Sequence, residues 1–338
     1  MKTAQNGVVT FAIIGCGDVT EVKSGPALQK ISGSRLKTVM RRDEEKLKSY
    51  AARHHVEHYT TDYLEILRDP EIDAVYIATP PHMHSFYTLE AAKYGKAVYV
   101  EKPMALTVAE CNQMIAACRQ AGVPLFTAYY RRGMEKFRTV RQILSGGMLG
   151  ELCSLQYQFA CPVPAVDPGR AWLLDPEVAG GGLLFDIGSH MLDTLRFVLG
   201  EVEEACGVSA NRSGAFAVND THSAILRFAG GVPGTVQLTF CAAQRVDEAV
   251  VLGSKGSLRF SILDHEPIAV TIDGKTETIA FPPMTHVQQG FITRVVNTLL
   301  GQDDLESGGE TGLRTQELLE AIDHSRCYRP NAVRESLQ

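Results

Sequence analysis

The sequence predicts two domains of different class: an α/β domain with a doubly wound parallel sheet over residues 1–128, then an α+β domain over 129–338 built on a large, mostly antiparallel open sheet. Three observations carry this expectation. The first part alternates short apolar runs with helix-length stretches; from Glu151 onward strand-like runs follow one another with glycine turns between them; and 338 residues, 45% hydrophobic and 21% charged, suffice for two cores.

The first run, Val8 to Ile14, is apolar and rich in β-branched residues, as a strand buried on both faces requires. It leads into Gly15-Cys16-Gly17-Asp18-Val19-Thr20, a G-x-G-x-x-G pattern with its last glycine replaced. Glycines there let the chain turn tightly and approach a pyrophosphate, whose charge the amides at a helix start meet. The pattern alone is weak and gains weight from the strand before it and the strand–helix units behind it. It marks a Rossmann dinucleotide-binding domain with Gly15, Gly17, Asp18 and Val19 at the cofactor. Thr20 in place of the third glycine is expected to push the helix slightly away from the strand, and Pro26 suits a helix that starts late. The second strand, Leu36 to Met40, ends in Arg41-Arg42-Asp43, where an acidic residue would hold the ribose of NAD. Arg41 and Arg42 instead offer planar forks of donors to a 2′-phosphate, which favours NADP; NAD stays possible if Asp43 reaches the ribose.

A helix over Glu44 to Arg53 leads to His54-His55-Val56-Glu57-His58. A metal site would need the helix to continue through these residues, but Val56 to Tyr59 reads as the third strand, so no metal is expected. Helix Asp62 to Arg68 and strand Ala74 to Ala78 follow, and that strand ends in Thr79-Pro80-Pro81-His82-Met83-His84 before a helix over Ser85 to Tyr94. The prolines stiffen the turn, so Thr79, Pro80 and His84 join the candidate cofactor contacts; a histidine that merely caps the loop is the plainer reading of His84. Ala97 to Leu106 reads A-V-Y-V-E-K-P-M-A-L, a strand running straight into Glu101, Lys102 and a proline. Ligands of open parallel sheets bind outside the carboxyl ends of the strands, which places Glu101 and Lys102 at the cofactor. Helix Val108 to Ala121 stops at Gly122, and Val123 to Ala128 is the sixth strand.

Helix Lys136 to Ser145 opens the second domain, followed by strands over Leu152 to Ala160, Glu203 to Ser209, Ser223 to Phe228, Thr235 to Cys241, Glu248 to Leu252 and Ser257 to Ile262. Between the first two lies Gly180-Gly181-Gly182-Leu183-Leu184-Phe185-Asp186-Ile187-Gly188-Ser189-His190. On a helix Asp186 and His190 are i and i+4 on one face, while Ile187, Met191, Leu195 and Val198 serve the buried side. A carboxylate beside an imidazole orients it as a general acid–base near neutral pH. A capping Asp with an unrelated core histidine, or half of a metal site, are the other readings.

Taken together, the glycine turn, Thr79-Pro80 with His84, Glu101-Lys102-Pro103, the glycine run before Asp186-x-x-x-His190, and Gly253-Ser254-Lys255-Gly256-Ser257 make the chain resemble the Gfo/Idh/MocA oxidoreductases, a family that includes glucose-fructose oxidoreductase and inositol dehydrogenase. The resemblance spans nearly the whole chain. It implies hydride transfer between a nicotinamide and a hydroxyl-bearing carbon of a sugar, cyclitol or similar polyol, with Lys102, Asp186 and His190 at the reacting centre. The family usually carries Asn where this chain has Pro81, and an acid where it has Arg41. Tyr130, Arg131 and Trp172 are further candidates for the substrate pocket, and the segment 161–176 for its specificity. A redox-assisted glycosidase that retains its cofactor and a non-catalytic dinucleotide-binding regulator are the alternatives.

The formal charge of −6 and the lack of any long basic run speak against nucleic acid. With neither a signal-peptide pattern nor an apolar stretch of membrane-spanning length, the expected place is the cytoplasm. The 8 cysteines, without C-x-x-C pairs, read as small buried hydrophobes and not as a disulfide framework. Val236, Leu238 and Phe240 alternate with the mildly polar Thr235, Gln237 and Thr239, so both faces of the second sheet call for cover and a homodimer or homotetramer is expected.

Overall fold

The computed structural model describes residues 7–165, 168–305 and 307–330. It divides into two compact units, one comprising the stretch through Met134 with Met284–Gln316, the other Glu135–Pro283 with the residues from Glu317 on. The first break falls a few residues after the expected 128/129 boundary; the return of 284–316 to the first unit has no counterpart in the sequence reading.

In the first unit β1 (Val9–Ile14), α1 (Asp18–Val22), α2 (Gly25–Lys30), β2 (Ser34–Met40), α3 (Glu44–Arg53), β3 (His58–Thr60), α4 (Tyr63–Arg68), β4 (Ala74–Ile77), α5 (His84–Lys93), β5 (Ala97–Val100), α6 (Val108–Ala121) and β6 (Leu125–Thr127) follow in order. The six strands are parallel in the order β3-β2-β1-β4-β5-β6, so the strand order reverses between β1 and β4. Alternate residues of β1 feed opposite cores: Val9, Phe11 and Ile13 pack with α2 and α3, Ala12 and Ile14 with α4, α5 and α6. Around Tyr76, Tyr99 and Phe126 the first of these faces is covered by Phe291, Ile292, Val295 and Val296, residues of the segment that returns from beyond Met284. The chain comes back because an apolar sheet face is otherwise bare there.

In the second unit α7 (Glu135–Ser145), β7 (Leu152–Ala160), α8 (Pro176–Ala179) and α9 (Ser189–Leu199) precede a run of strands: β8 (Val202–Ala210), β9 (Thr221–Phe228), β10 (Pro233–Thr239), β11 (Val246–Gly253), β12 (Gly256–Phe260), β13 (Ile268–Ile272) and β14 (Lys275–Ile279). Helix α10 (Gln289–Leu299) belongs to the first unit, and α11 (Gly309–Asp323) and the short β15 (Cys327–Tyr328) are the last of the described elements. The nine strands order as β14-β13-β12-β11-β7-β10-β9-β8-β15, antiparallel except for the β7–β10 pair. Burial alternates along β10, with Gly234, Val236 and Leu238 buried and Pro233, Thr235 and Gln237 exposed, as on a sheet packed on one side.

The cysteine reading needs correction. Cys16, Cys111 and Cys118 are buried, but Cys153 is exposed, and Cys206 and Cys327 form a disulfide that ties β8 to the edge strand β15. Their pairing arises from strand docking over a sequence separation of 121, so no local spacing announces it. Among the described residues no helix is long and apolar enough to cross a membrane, and no three His, Cys, Asp or Glu side chains gather as a metal site.

Candidate active site

Gly15 ends β1 at φ +92°, and a Cβ there would stand 2.6 Å from Thr79 Cγ2, so only glycine lets the turn pass the strand end of β4. Thr20, in the place of the third glycine, is fully buried. Its hydroxyl accepts from the Gly17 N–H at 2.9 Å and donates to the Gly17 carbonyl at 2.8 Å, closing the turn. A close approach between helices is made at Gly25, where a Cβ would strike the Thr20 carbonyl and the Tyr50 hydroxyl. The helix accordingly breaks into α1 and α2, the second with Pro26 in its first turn. Asp18 and Val19 open α1, where backbone N–H groups have no partner earlier in the helix. Burial pushes the Cys16 thiol up to about 12 against the pull of the Arg41 charge, which makes this turn cysteine an unreactive packing residue.

Arg41 leaves the end of β2 and its Nη1 donates to the Cys16 carbonyl at 3.2 Å, so the guanidinium lies over the glycine turn; Arg42 is exposed. Asp43 is the N-cap of α3, accepting from the Lys46 N–H at 3.0 Å. The histidine run is structural. His54 Nε2 meets Glu21 Oε2 at 2.7 Å and its ring stacks 4.2 Å from Tyr50, fastening the end of α3 to α1.

The loop after β4 borders the reversal in strand order, and the loop after β5 lies next to it. Thr79 and Pro80 enter a tight turn over Pro81–Met83, and the Thr79 Oγ1 and His82 Nδ1 atoms are buried without a hydrogen-bond partner. His84 does not reach into the crevice, contrary to the expectation of a cofactor contact. Its side chain is 0% exposed, with Nδ1 2.9 Å from the Pro103 carbonyl oxygen and Nε2 2.8 Å from that of Thr79. The imidazole thus bolts the two strand-end loops together. Glu101, expected at the cofactor, is 6% exposed and turns inward: Oε1 accepts from the Tyr76 hydroxyl at 2.5 Å and Oε2 from the Lys102 N–H at 3.2 Å. Lys102 itself is half-buried at the strand end. Tyr130 and Arg131 are buried together, with Arg131 Nη1 donating to the Tyr130 hydroxyl at 3.2 Å and its guanidinium 5.0 Å from that ring.

In the second unit the glycine run leads into a π-helical turn, Leu184–Gly188, continuous with α9. Gly188 allows this turn to press on the sheet, since a Cβ there would lie 3.3 Å from Leu238 Cδ1. Asp186 is half-buried, His190 is 8% exposed, and the two stand about one turn apart, with a wider turn than the regular helix expected. The amphipathic expectation for α9 also needs correction: every residue of Ser189–Leu199 is buried, whereas Ile187 is only half-buried beside Asp186. A helix enclosed on all sides admits polar groups when they are paired, as Arg196 is with Glu201 at 2.6 Å and Asp193 at 3.7 Å. Trp172 is half-buried in the short helix Pro168–Leu174; within the segment 161–176, Val166 and Asp167 lie outside the described residues.

Buried titratable groups set the acid limit of the fold. Burial lowers the His84 and His222 pKa values from 6.5, and the neighbouring carbonyls and carboxylates oppose this without reversing it. The unfolded chain therefore takes up protons below pH 6.5 that the folded chain resists, and stability falls as pH drops below that value. For Asp220, burial raises the carboxyl, but hydrogen bonds from Ser213 and Arg212 outweigh it and hold it at about 2. Its contribution is present above 3.8 and is lost as pH falls toward about 2. Urea unfolding is expected to show a first loss of stability below pH 6.5 that His222→Phe diminishes; a stability independent of pH through this window would contradict it.

Comparison with known proteins places both units. Residues 9–129 match the family described as an oxidoreductase family with an NAD-binding Rossmann fold, and residues 137–259 match the GFO/IDH/MocA C-terminal domain. The chain is 34% identical over 298 residues to oxidoreductase P35 of Formosa agariphila, covering 87% of this chain and 92% of that protein. It is 30% identical over 326 residues to the D-xylose 1-dehydrogenase [NADP(+)] of Haloarcula marismortui, covering 92% and 89%. The crystal structure of the aldose-aldose oxidoreductase from Caulobacter crescentus, complexed with glycerol, superposes with a TM-score of 0.84 at 25% identity, covering 95% and 99%.

Proposed function

Because the chain belongs to the GFO/IDH/MocA family of oxidoreductases, we propose that it oxidises or reduces a hydroxyl-bearing carbon of a sugar, cyclitol or related polyol with NADP in preference to NAD. The observation that carries this reading is the place of Lys102, at the carboxyl end of β5, the neighbour of the strand β4 that borders the reversal in strand order. The crevice fits a dinucleotide: a glycine turn with helix-opening amides at Asp18 and Val19 faces a buried, unmatched Thr79 hydroxyl oxygen. A bound nicotinamide supplies the donor or acceptor of the hydride. The chain's own residues handle the proton and the charge. His190 takes or gives the hydroxyl proton, Asp186 orients the imidazole, and Lys102 polarises the same oxygen. Tyr130, Arg131 and Trp172 are substrate contacts in this reading, Arg131 being held to Tyr130. Asp43, committed to capping α3, leaves the adenosine ribose to Arg41 and Arg42, which supports NADP.

The test is a panel of aldoses, anhydro sugars and cyclitols followed by nicotinamide absorbance in both directions. Turnover of at least one carbinol or carbonyl substrate is expected. Tight cofactor binding with no turnover across the panel would leave a non-catalytic binder, and glycoside cleavage without net nicotinamide change would leave the redox-assisted glycosidase.

We further propose a homodimer or homotetramer paired through the nine-stranded sheet. Val208 and Ile225 stand 68% and 67% exposed on its uncovered face, among uncharged neighbours such as Thr235 and Gln237. Sedimentation at micromolar concentration is expected to give a multiple of 36.9 kDa, and a monomer would count against the pairing.

A further inference from the structure

Beneath Lys102 lies a buried polar group whose most distant member comes from the returning segment. Gln288, 0% exposed at the start of α10, donates from Nε2 to Glu101 Oε1 at 2.7 Å, and its Oε1 accepts from the Tyr99 hydroxyl at 2.7 Å. The Tyr76 hydroxyl donates to the same Glu101 oxygen at 2.5 Å and lies 3.0 Å from Ser24 Oγ. The other Glu101 oxygen accepts the Lys102 N–H at 3.2 Å. A buried carboxamide and carboxylate cost stability unless they are matched, so such a group persists where each member holds the next.

We propose that Gln288 is a positioning residue for Lys102, acting through Glu101. This rests on the reading of Lys102 as a catalytic residue. Gln288 and Tyr76 pin one carboxylate oxygen, which leaves the second aimed at the Lys102 N–H and fixes the peptide plane from which the lysine side chain departs. His84 holds the next residue through the Pro103 carbonyl at 2.9 Å, so residues 101–103 are gripped on both flanks. Without the Gln288 amide, Glu101 loses a donor, the Tyr99 hydroxyl loses its acceptor, and the oxygen facing Lys102 is free to turn away. The return of 284–316 to the first unit thus brings a donor that the six strands do not contain.

Two variants test this. Gln288→Glu keeps the shape and sets a second carboxylate against Glu101; Tyr99→Phe removes only the hydroxyl that holds the Gln288 oxygen. With the sugar turned over fastest in the panel above, Gln288→Glu is expected to lower kcat about tenfold or more while the KM for NADP moves less than about threefold, and Tyr99→Phe to act in the same direction by less. A second readout needs no substrate: trinitrobenzenesulfonate labelling of Lys102, measured by peptide mass spectrometry relative to the exposed Lys46, is expected to change about threefold or more in Gln288→Glu. The inference is overturned if kcat stays parental in both variants, if kcat falls while the labelling ratio does not move, or if all lysines gain labelling together, as general loosening gives. Lys102→Met separates the two readings. Parental turnover in that variant removes the catalytic role of Lys102, while the labelling ratio still reports whether Gln288 holds the loop.

Discussion

His190→Ala is expected to lower turnover about a hundredfold or more, the scale of losing a positioned acid–base group, with little change in cofactor affinity. The imidazole sits at the first turn of α9, held by a helix buried along its whole length, so alanine removes the proposed proton-handling group without opening the surface. Truncation leaves a small space, whose effect on stability a thermal melt separates from the effect on kcat. Asp186→Asn keeps the shape and removes the charge proposed to orient the ring, so it is expected to lose less. Steady-state rates with the preferred sugar and a cofactor titration check both. Unchanged turnover in His190→Ala would move the proton transfer elsewhere, with Lys102 next in line.

Arg41→Asp is expected to narrow or invert the proposed preference for NADPH over NADH. In the parent protein the guanidinium lies over the glycine turn, bonded to the Cys16 carbonyl, beside the end of β2, where the proposal puts the adenosine ribose. A guanidinium there meets a 2′-phosphate; a carboxylate repels it and accepts from the ribose hydroxyls. Losing one charge-assisted contact costs about 1.5–3 kcal/mol, or about tenfold to more than a hundredfold in affinity. Titrating both reduced cofactors against both proteins measures it. Should NADH bind the parent protein as well as NADPH, the arginines do not hold the phosphate.

The first sheet could be read closely because its signals are local. Helix α3 is bounded by its Asp43 cap and α6 by Gly122 in the left-handed region, and both match the expected ranges. The glycine turn and the strand-end lysine follow from chain order alone. What escaped depends on contacts between distant residues. Exposed β14, polar up to Ile279, carries no apolar alternation and is not legible in the sequence. The inward turn of Glu101 depends on Gln288, 187 residues away, and no spacing marks it. His84 holds a helix-start position in sequence but a bridging position in space, since both of its partners are carbonyls that sequence does not display. The π-helical turn at Asp186 likewise leaves no signature beyond the glycines around it.

The central claim is the proposal that Lys102 and His190 serve the same chemical step. The most direct measurement is the turnover of Lys102→Met, His190→Ala and the double variant with the same sugar and cofactor. Groups that act as a unit are not additive, so the double variant is predicted to lose little more than the worse single one. Losses that multiply, as they do for independent sites, would contradict the claim.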